Sequence, residues 1–304
     1  MSTYASVIAA RSRLTLADTL YIIETAPRRY KVYSIPKKSG GERLIAHPSR
    51  ELKLIQRSLI DVLDDALPVH TSATAYEKGS SIFKNAKKHA GKDWLIKLDI
   101  KNFFNSVHPE HFDRVLEYRN IDIELREISK KAFFWRPRQS NHTCLSVGAP
   151  SSPFVVNRLM FEFDDSLDMF CKERGIEFSR YADDLAFSRN EEMNFGEIVG
   201  FVGAELAKVG GLVLNQNKCR QIGPGSRKQV TGLILSNDGR VTLGRTQRRR
   251  IEARVFNFVS GAEDNVEQVR GHLAFLKMAN RSGYDRLKDR FGEREIAQHQ
   301  KLFS

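Results

Sequence analysis

Two adjacent carboxylates, Asp183 and Asp184, stand between two short apolar runs, residues 176–179 and 185–187. Apolar runs separated by a short polar break predict a β-hairpin, here with both acids at its tight turn. Aspartate is common at ordinary turns because it tolerates the left-handed conformation and bonds to nearby backbone. The dipeptide taken alone is therefore explained better by an ordinary turn than by a functional site.

A third acid, Asp99, changes this interpretation. It lies in the run 94–100, whose apolar, β-branched and aromatic content predicts a strand. A carboxylate near a core is costly to bury alone, so its presence predicts a cation or a basic group opposite. Three carboxylates from two neighbouring strands would form an all-oxygen site that suits Mg²⁺, with water and substrate phosphates as further ligands. We therefore expect a centre for phosphoryl transfer.

Five segments of the sequence resemble motifs of a known family. Residues 99–104, 148–153 and 181–184 resemble motifs A, B and C of reverse transcriptases, in the same order and at sensible spacing. Residues 85–89 resemble the Asn-Ala-x-x-His element, and residues 230–232 the Val-Thr-Gly element, of bacterial retron reverse transcriptases. The resemblance covers roughly residues 30 to 240 and weakens at both ends.

The resemblance implies a fold and a division of the chain. The fold class is α+β (mixed α/β), a right-hand polymerase with fingers, a palm of antiparallel sheet plus helices, and a helical thumb. We expect an N-terminal helical extension over residues 1–29 and the fingers and palm over 30–240. Residues 241–304 would form a basic, RNA-binding thumb.

The resemblance also implies roles for particular residues. Asp99, Asp183 and Asp184 would be catalytic and, with the Ile100 carbonyl, would hold two Mg²⁺ ions. Phe104, five residues after Asp99, would exclude the 2′-hydroxyl of an incoming ribonucleotide. Lys218, in a run that resembles motif D, would protonate the pyrophosphate leaving group. The other predicted nucleotide-binding residues are Lys38, Arg43, Gly148 and Ala149. The predicted nucleic-acid-binding residues are Asn85, His89, Tyr181, Val230, Thr231, Gly232, Arg245, Arg248, Arg249, Arg250 and Arg254.

Most of these residues have an ordinary alternative. The basic hairpin tip near Lys38, the lone Lys218 and the arginines of 245–254 all fit solvated surfaces. Asn85 and His89, four residues apart, fit a surface hydrogen-bonding pair. Beyond the 148–153 loop we expect one helix with a buried stripe, on which Asp164, Asp165 and Asp168 form a solvated face. Val147 departs from the family, which usually has Gln there, so an amide contact to the nucleotide is missing or supplied elsewhere.

The charge and composition limit the partners. The 304 residues carry 49 Lys+Arg against 37 Asp+Glu, a net charge of +12 that favours a polyanionic partner. No run approaches the ~18 apolar residues of a spanning helix, and residues 1–20 lack a secretory signal, so we expect a cytoplasmic protein without a membrane partner. Three separated cysteines indicate neither a disulfide framework nor a zinc site.

The sequence therefore predicts an RNA-directed DNA polymerase of the retron type. By resemblance, its partners would be deoxynucleoside triphosphates, a cognate structured noncoding RNA and its DNA product, which is branched and RNA-linked. The resemblance also implies antiphage defence together with a separately encoded effector protein. Two alternatives stay open: a group II intron-like or diversity-generating reverse transcriptase, and a non-catalytic RNA-binding scaffold that restrains a toxic effector.

Overall fold

The computed structural model describes residues 3–37, 40–138, 140–262 and 265–295. Lys38, a predicted nucleotide contact, lies outside these ranges. Within them the helices are α1 (Thr3–Ser12), α2 (Leu16–Thr25), α3 (Arg50–Leu63), α4 (Ile82–Lys88), α5 (Pro109–Tyr118), α6 (Ile123–Phe133), α7 (Ser151–Leu159), α8 (Phe161–Glu173), α9 (Phe195–Gly210), α10 (Arg245–Val259), α11 (Val266–Ala279) and α12 (Arg281–Glu295). In this described part of the chain, every helix is too short or too polar to cross a membrane.

The strands form three sheets. They are β1 (Tyr30–Pro36), β2 (Glu42–Pro48), β3 (Trp94–Asp99), β4 (Glu177–Tyr181), β5 (Asp184–Arg189), β6 (Arg220–Ile222), β7 (Lys228–Val230), β8 (Leu233–Leu235) and β9 (Val241–Thr242). The sheet orders are β1-β2, β4-β5-β3-β6 and β7-β8-β9. The combination of many helices with hairpin-paired strands confirms the predicted mixed class.

The predicted fingers hairpin is present as the β1–β2 ribbon. Its antiparallel register runs from Tyr30 opposite Pro48 to Pro36 opposite Glu42. The base of the ribbon is anchored because Tyr30 packs against Trp135, with ring centroids 6.0 Å apart. Most of β1 is exposed. An isolated two-stranded ribbon is marginally stable in water, so its anchored base determines where the ribbon points.

The chain contacts divide into two compact units, and the first contains residues 1–78, 97–185 and 194–220. Its core includes Phe112, Phe133 and Phe154, whose rings meet in successive contacts of 6.2 Å. The single helix expected beyond the 148–153 loop is two helices, α7 and α8, because the backbone leaves helical geometry at Met160. The predicted stripe along them is nevertheless buried.

The second unit contains residues 79–96, 186–193 and 221–304. Its core joins α4, the β7–β9 sheet and helices α10 to α12. The expected helical character of the C-terminal segment is therefore confirmed for its described residues. Residues 230–235 are not one strand: Thr231 (φ 47°) and Gly232 (φ 85°) adopt left-handed conformations and turn the chain between β7 and β8.

Asn85 and His89 lie in the core of this second unit, so the surface pair suggested by their spacing is not observed. Asn85 is 1% exposed and His89 is fully buried. The His89 Nδ1 atom lies 2.7 Å from the Ser188 hydroxyl of β5. Thr231 donates a 3.0 Å hydrogen bond to the Ile82 carbonyl at the start of α4. The 85–89 element lies in α4 and at its C-terminal end, where it contacts strand β5, and the 231–232 turn contacts the start of α4 in the same unit.

Burial lowers the pKa of His89 from 6.5 to about 3. Between these values the unfolded chain binds a proton that the folded chain does not, so stability falls as the pH falls below 6.5. We expect His89 to remove about 1.4 kcal/mol of unfolding free energy per pH unit there. Denaturant unfolding at pH 4.5 to 7.5 should show a smaller slope for His89→Gln, whereas the exposed His142→Gln control should keep the wild-type slope.

Candidate active site

The two adjacent acids occupy the turn that the sequence predicts. β4 ends at Tyr181 and β5 begins at Asp184, which leaves Ala182 and Asp183 as the connection. Ala182 has a φ of 58°, in the left-handed region that a residue with a Cβ seldom adopts. This conformation costs roughly 1–2 kcal/mol, so surrounding contacts must hold the turn.

Asp99 lies beside this turn because β3 is the neighbour of β5 in the sheet. The Ile100 amide donates a 2.9 Å hydrogen bond to the Asp183 carbonyl. On the other side, the Asn215 amide donates a 2.8 Å hydrogen bond to the Asp99 carbonyl. The backbone itself therefore brings the ends of β3 and β5 together, and with them all three acids.

A basic group faces Asp99, as its position near the core predicts. Lys218 Nζ lies 2.8 Å from Asp99 Oδ2, and the Asn215 side-chain amide donates to Oδ1 over 3.1 Å. The hydrogen bond to Asp99 raises the pKa of Lys218, with the two other aspartates adding to the effect. Lys218 therefore carries its proton at neutral pH. Asn215 is a contact that sequence reasoning did not assign, although it begins the motif D-like run.

Burial and neighbouring negative charges disfavour the ionised form of the aspartates. Burial raises the pKa of Asp183 to about 6, and the neighbouring charges of Asp184 and Asp99 add to it. Burial also raises the pKa of Asp184, opposed by Lys97. A divalent cation would relieve this repulsion, and the donors are oxygens of the kind that Mg²⁺ prefers.

Within the described ranges, no three His, Cys, Asp or Glu side chains are arranged as a ready-made metal site. Mg²⁺ usually binds proteins through one or two carboxylates, with substrate phosphates and water completing its octahedron. The aspartates around this turn match such an open, substrate-completed site better than a closed protein cage. The residues present therefore fit the group that the sequence implies.

Phe104 lines a cleft of about 390 Å³ in the first unit. Its ring is half-buried and meets the Tyr76 ring edge-on at 6.5 Å, whereas Phe103 is 3% exposed and belongs to the core. Tyr76, which sequence reasoning missed, has a φ of 67° and is 52% exposed. The other lining residues are His47, Lys53, Arg57, Ser146, Val147, Gly148, Ala149, Pro150, Ser152 and Pro153.

The conformation and the close neighbours of residue 148 leave room for glycine and not for a larger side chain. At its φ of +123°, an added Cβ would lie 3.1 Å from the Ile45 side chain and 3.3 Å from the Ala46 carbonyl. The Ala46 amide also donates a 3.0 Å hydrogen bond to the Val147 carbonyl. Gly148 therefore approaches strand β2 closely, and this contact fixes the loop against the base of the ribbon. Ala149 is 5% exposed.

Asp164 is not on a solvated face. It is fully buried and forms a two-point ion pair with Arg180, at 2.7 Å (Nε to Oδ1) and 2.6 Å (Nη2 to Oδ2). The signal was available in the helical period: Asp164 precedes Leu167 by three residues and Cys171 by seven, and both are buried. Asp165 and Asp168 are more exposed, with side chains at 50% and 19%.

The predicted nucleic-acid contacts are distributed over both units. Tyr181 is half-buried at the end of β4, and Arg43 is exposed on β2. Arg245, Arg249 and Arg250 are exposed on α10, while Arg248 and Arg254 are half-buried there. Val230 is 2% exposed and Gly232 is exposed. Contact of any of these residues with nucleic acid stays a prediction.

Comparison with known proteins identifies the family. The reverse transcriptase (RNA-dependent DNA polymerase) family profile matches residues 35–235. The retron Ec83 reverse transcriptase of Escherichia coli is 39% identical over 275 residues, covering 88% of each chain. This chain belongs to the bacterial retron reverse transcriptases. It is an RNA-directed DNA polymerase, and the retron Ec86 reverse transcriptase of E. coli is 29% identical over 91% of this chain and 84% of that relative.

Solved structures agree on the fold of this retron reverse transcriptase. Telomerase from Candida albicans, in a complex with a fragment of telomeric RNA, matches with a TM-score of 0.53 at 11% identity, covering 88% of this chain. The chain spans 56% of the length of that telomerase chain. The likeness confirms the right-hand polymerase fold. Because the chain belongs to the retron family, the alternative of a group II intron-like or diversity-generating reverse transcriptase is excluded.

The raised pKa of Asp183 predicts how the free energy of unfolding depends on pH. Because its folded pKa exceeds the ordinary 3.8, the charged form opposes folding, and stability falls as the pH rises through 4 to 6. We expect Asp183→Asn to stabilise the metal-free protein by about 1–3 kcal/mol at pH 7.5, and by almost nothing at pH 3.5.

Chemical denaturation in chelator across this pH range measures the difference. The control is Asp61→Asn, at an exposed position on α3, which should shift stability equally at all pH values. An Asp183→Asn variant that is less stable than wild type at pH 7.5 would contradict the prediction.

Proposed function

We propose that this polymerase copies a cognate structured noncoding RNA into a single-stranded DNA that stays joined to RNA through a branch. The observation that carries the polymerase chemistry is the meeting of Asp99 with the Asp183–Asp184 turn, held by the hydrogen bond from the Ile100 amide to the Asp183 carbonyl. Family membership supports the RNA template. The branched product is proposed from the resemblance to retron enzymes.

Asp99, Asp183, Asp184 and the Ile100 carbonyl would hold two Mg²⁺ ions. When bound, these ions would activate the primer hydroxyl and stabilise the charge that develops as pyrophosphate leaves. Lys218 keeps Asp99 ion-paired in their absence and holds its own proton at neutral pH. It therefore carries the proton that a general acid would give to the leaving group.

Phe104, Tyr76 and the 148–149 segment would receive the incoming deoxynucleoside triphosphate. These residues line one cleft, and the half-buried Phe104 ring is supported by Phe103 behind it, with centroids 5.7 Å apart. A supported ring excludes a 2′-hydroxyl better than a mobile one does, since it cannot turn away. Arg43, on the exposed ribbon, would contact the triphosphate, and the sequence resemblance adds Lys38 as a second contact.

The exposed arginines of α10 would bind RNA phosphates, and the net charge of +12 supports such contacts. Asn85 and His89 are buried, so we assign them an indirect role: they hold α4 in place, and the Ile82 carbonyl of α4 accepts the hydrogen bond from Thr231 in the turn from which Gly232 would approach nucleic acid. A role in antiphage defence with a separately encoded effector is proposed from the resemblance to retrons.

Primer extension on an RNA template tests the assignment of the acids. Asp183→Asn should lower the extension rate at least about 10³-fold with Mg²⁺, because a neutral amide binds a hard cation poorly and the charge compensation is lost. Asp61→Asn should extend primers at the wild-type rate. Equal and negligible extension by the wild type and by Asp183→Asn would favour the scaffold over the polymerase.

The Phe104 assignment has its own test. Phe104→Ala should raise ribonucleotide incorporation relative to deoxyribonucleotide incorporation by about 10- to 100-fold, because the wall against the 2′-hydroxyl is removed. Steady-state incorporation of matched nucleotide pairs gives this ratio. Tyr118→Ala, at an aromatic residue that is 72% exposed on α5, is the control and should leave the ratio unchanged. An unchanged ratio in Phe104→Ala would remove Phe104 from this role.

A further inference from the structure

Among the described residues, Arg180 is the largest side chain that is fully buried, and it directly precedes the Tyr181–Asp184 turn. We propose that Arg180 is a positioning residue for Asp183: it fixes the strained turn at Ala182 and thereby sets the metal affinity of the acids. This inference rests on the proposed function, since it concerns how the same site holds its cations.

The hydrogen bonds of the guanidinium group support this role. Two of its nitrogens bind Asp164, and the third, Nη1, donates 3.3 Å hydrogen bonds to the Ala182 carbonyl and to Asn157 Oδ1. The Ala182 carbonyl belongs to the residue with the left-handed φ of 58°. A planar guanidinium can bind a carboxylate with one edge and a carbonyl with the remaining nitrogen, whereas an ammonium donates all its hydrogen bonds from one nitrogen and does not reproduce this spacing.

The backbone of Arg180 is fixed as well. Its amide donates to the Ser72 carbonyl over 2.8 Å, and its own carbonyl accepts a 2.8 Å hydrogen bond from the Thr74 amide. Asn157 is in turn held by the Ala75 carbonyl at 2.9 Å and by Glu77 at 2.8 Å. Arg180 is therefore a rigid support, so its bond to Ala182 transmits a defined geometry to the next residue, Asp183.

Stability alone does not account for this arrangement. A buried ion pair can often be replaced by apolar residues of similar size without loss of stability. The contact to the Ala182 carbonyl would be lost in such a replacement, whereas the packing would be kept. Folding and metal binding can therefore be separated by one double variant.

The test is Mn²⁺ binding to the metal-free protein, measured by electron paramagnetic resonance, alongside primer extension at varied Mg²⁺. Arg180→Met/Asp164→Leu should fold with an unchanged circular dichroism spectrum. It should bind Mn²⁺ about tenfold or more weakly than wild type and need correspondingly more Mg²⁺ for half-maximal extension. Arg180→Lys keeps the charge but loses the second contact, and should show the same shift.

The control is Arg126→Met/Asp113→Leu. This pair also makes two contacts, at 2.9 and 3.0 Å, but joins α6 to α5 away from the turn. It should bind Mn²⁺ as the wild type does. A general loss of stability would lower the active fraction in any variant without moving the Mn²⁺ affinity of the folded molecules.

Three outcomes would overturn the proposal: folded Arg180 variants with wild-type Mn²⁺ affinity, an equal shift in the control, or failure of both Arg180 variants to fold, which would make the pair a determinant of the fold. If the wild type bound no Mn²⁺ at these acids even with template, primer and deoxynucleoside triphosphate present, the two-ion proposal would fail instead. The two failures are therefore distinguishable.

Discussion

The site depends on holding like charges together at a place that water only partly reaches. Asp183 and Asp184 are half-buried. The loss of water raises the pKa of Asp183 to about 6, and the neighbouring charges of Asp184 and Asp99 add to the rise. Favourable contacts must offset this repulsion in the folded protein. The backbone hydrogen bond between Ile100 and Asp183 and the Lys218–Asp99 ion pair are two such contacts at the site itself. The acids are thus prepared for a cation before one binds.

Contacts behind the acids, made by Arg180 and Asp164, stabilise the turn. Ala182 is in a left-handed conformation that an isolated hairpin would not maintain. The fully buried guanidinium of Arg180 donates a hydrogen bond to the Ala182 carbonyl. Asp164, on α8, anchors the guanidinium. Helix packing in the first unit therefore determines the geometry of a turn on the sheet. The same principle applies to Gly148, whose conformation is set by strand β2.

The elements in the second unit have a different physical basis. His89 is held neutral in an apolar environment, next to Ser188, and Thr231 closes onto the first carbonyl of α4. These residues resemble a retron signature in sequence, yet their side chains serve the packing of α4 against a small sheet. A sequence signature of this kind can identify a lineage through its core as well as through its ligand contacts.

The sequence by itself determined the three acids, the strand and turn that carry them, the fingers hairpin and the family, because these depend on local periodicity and on motifs of fixed spacing. Helical periodicity aligns Asp164 with buried positions, but its charge led to the wrong prediction of a solvated face, because its partner was not known. Only the tertiary structure showed that Arg180 is that partner, that Lys218 faces Asp99, and that Tyr76 lies against Phe104. Each of these pairs joins residues from separate elements, and no local rule of propensity or spacing specifies which distant side chain will meet a given one.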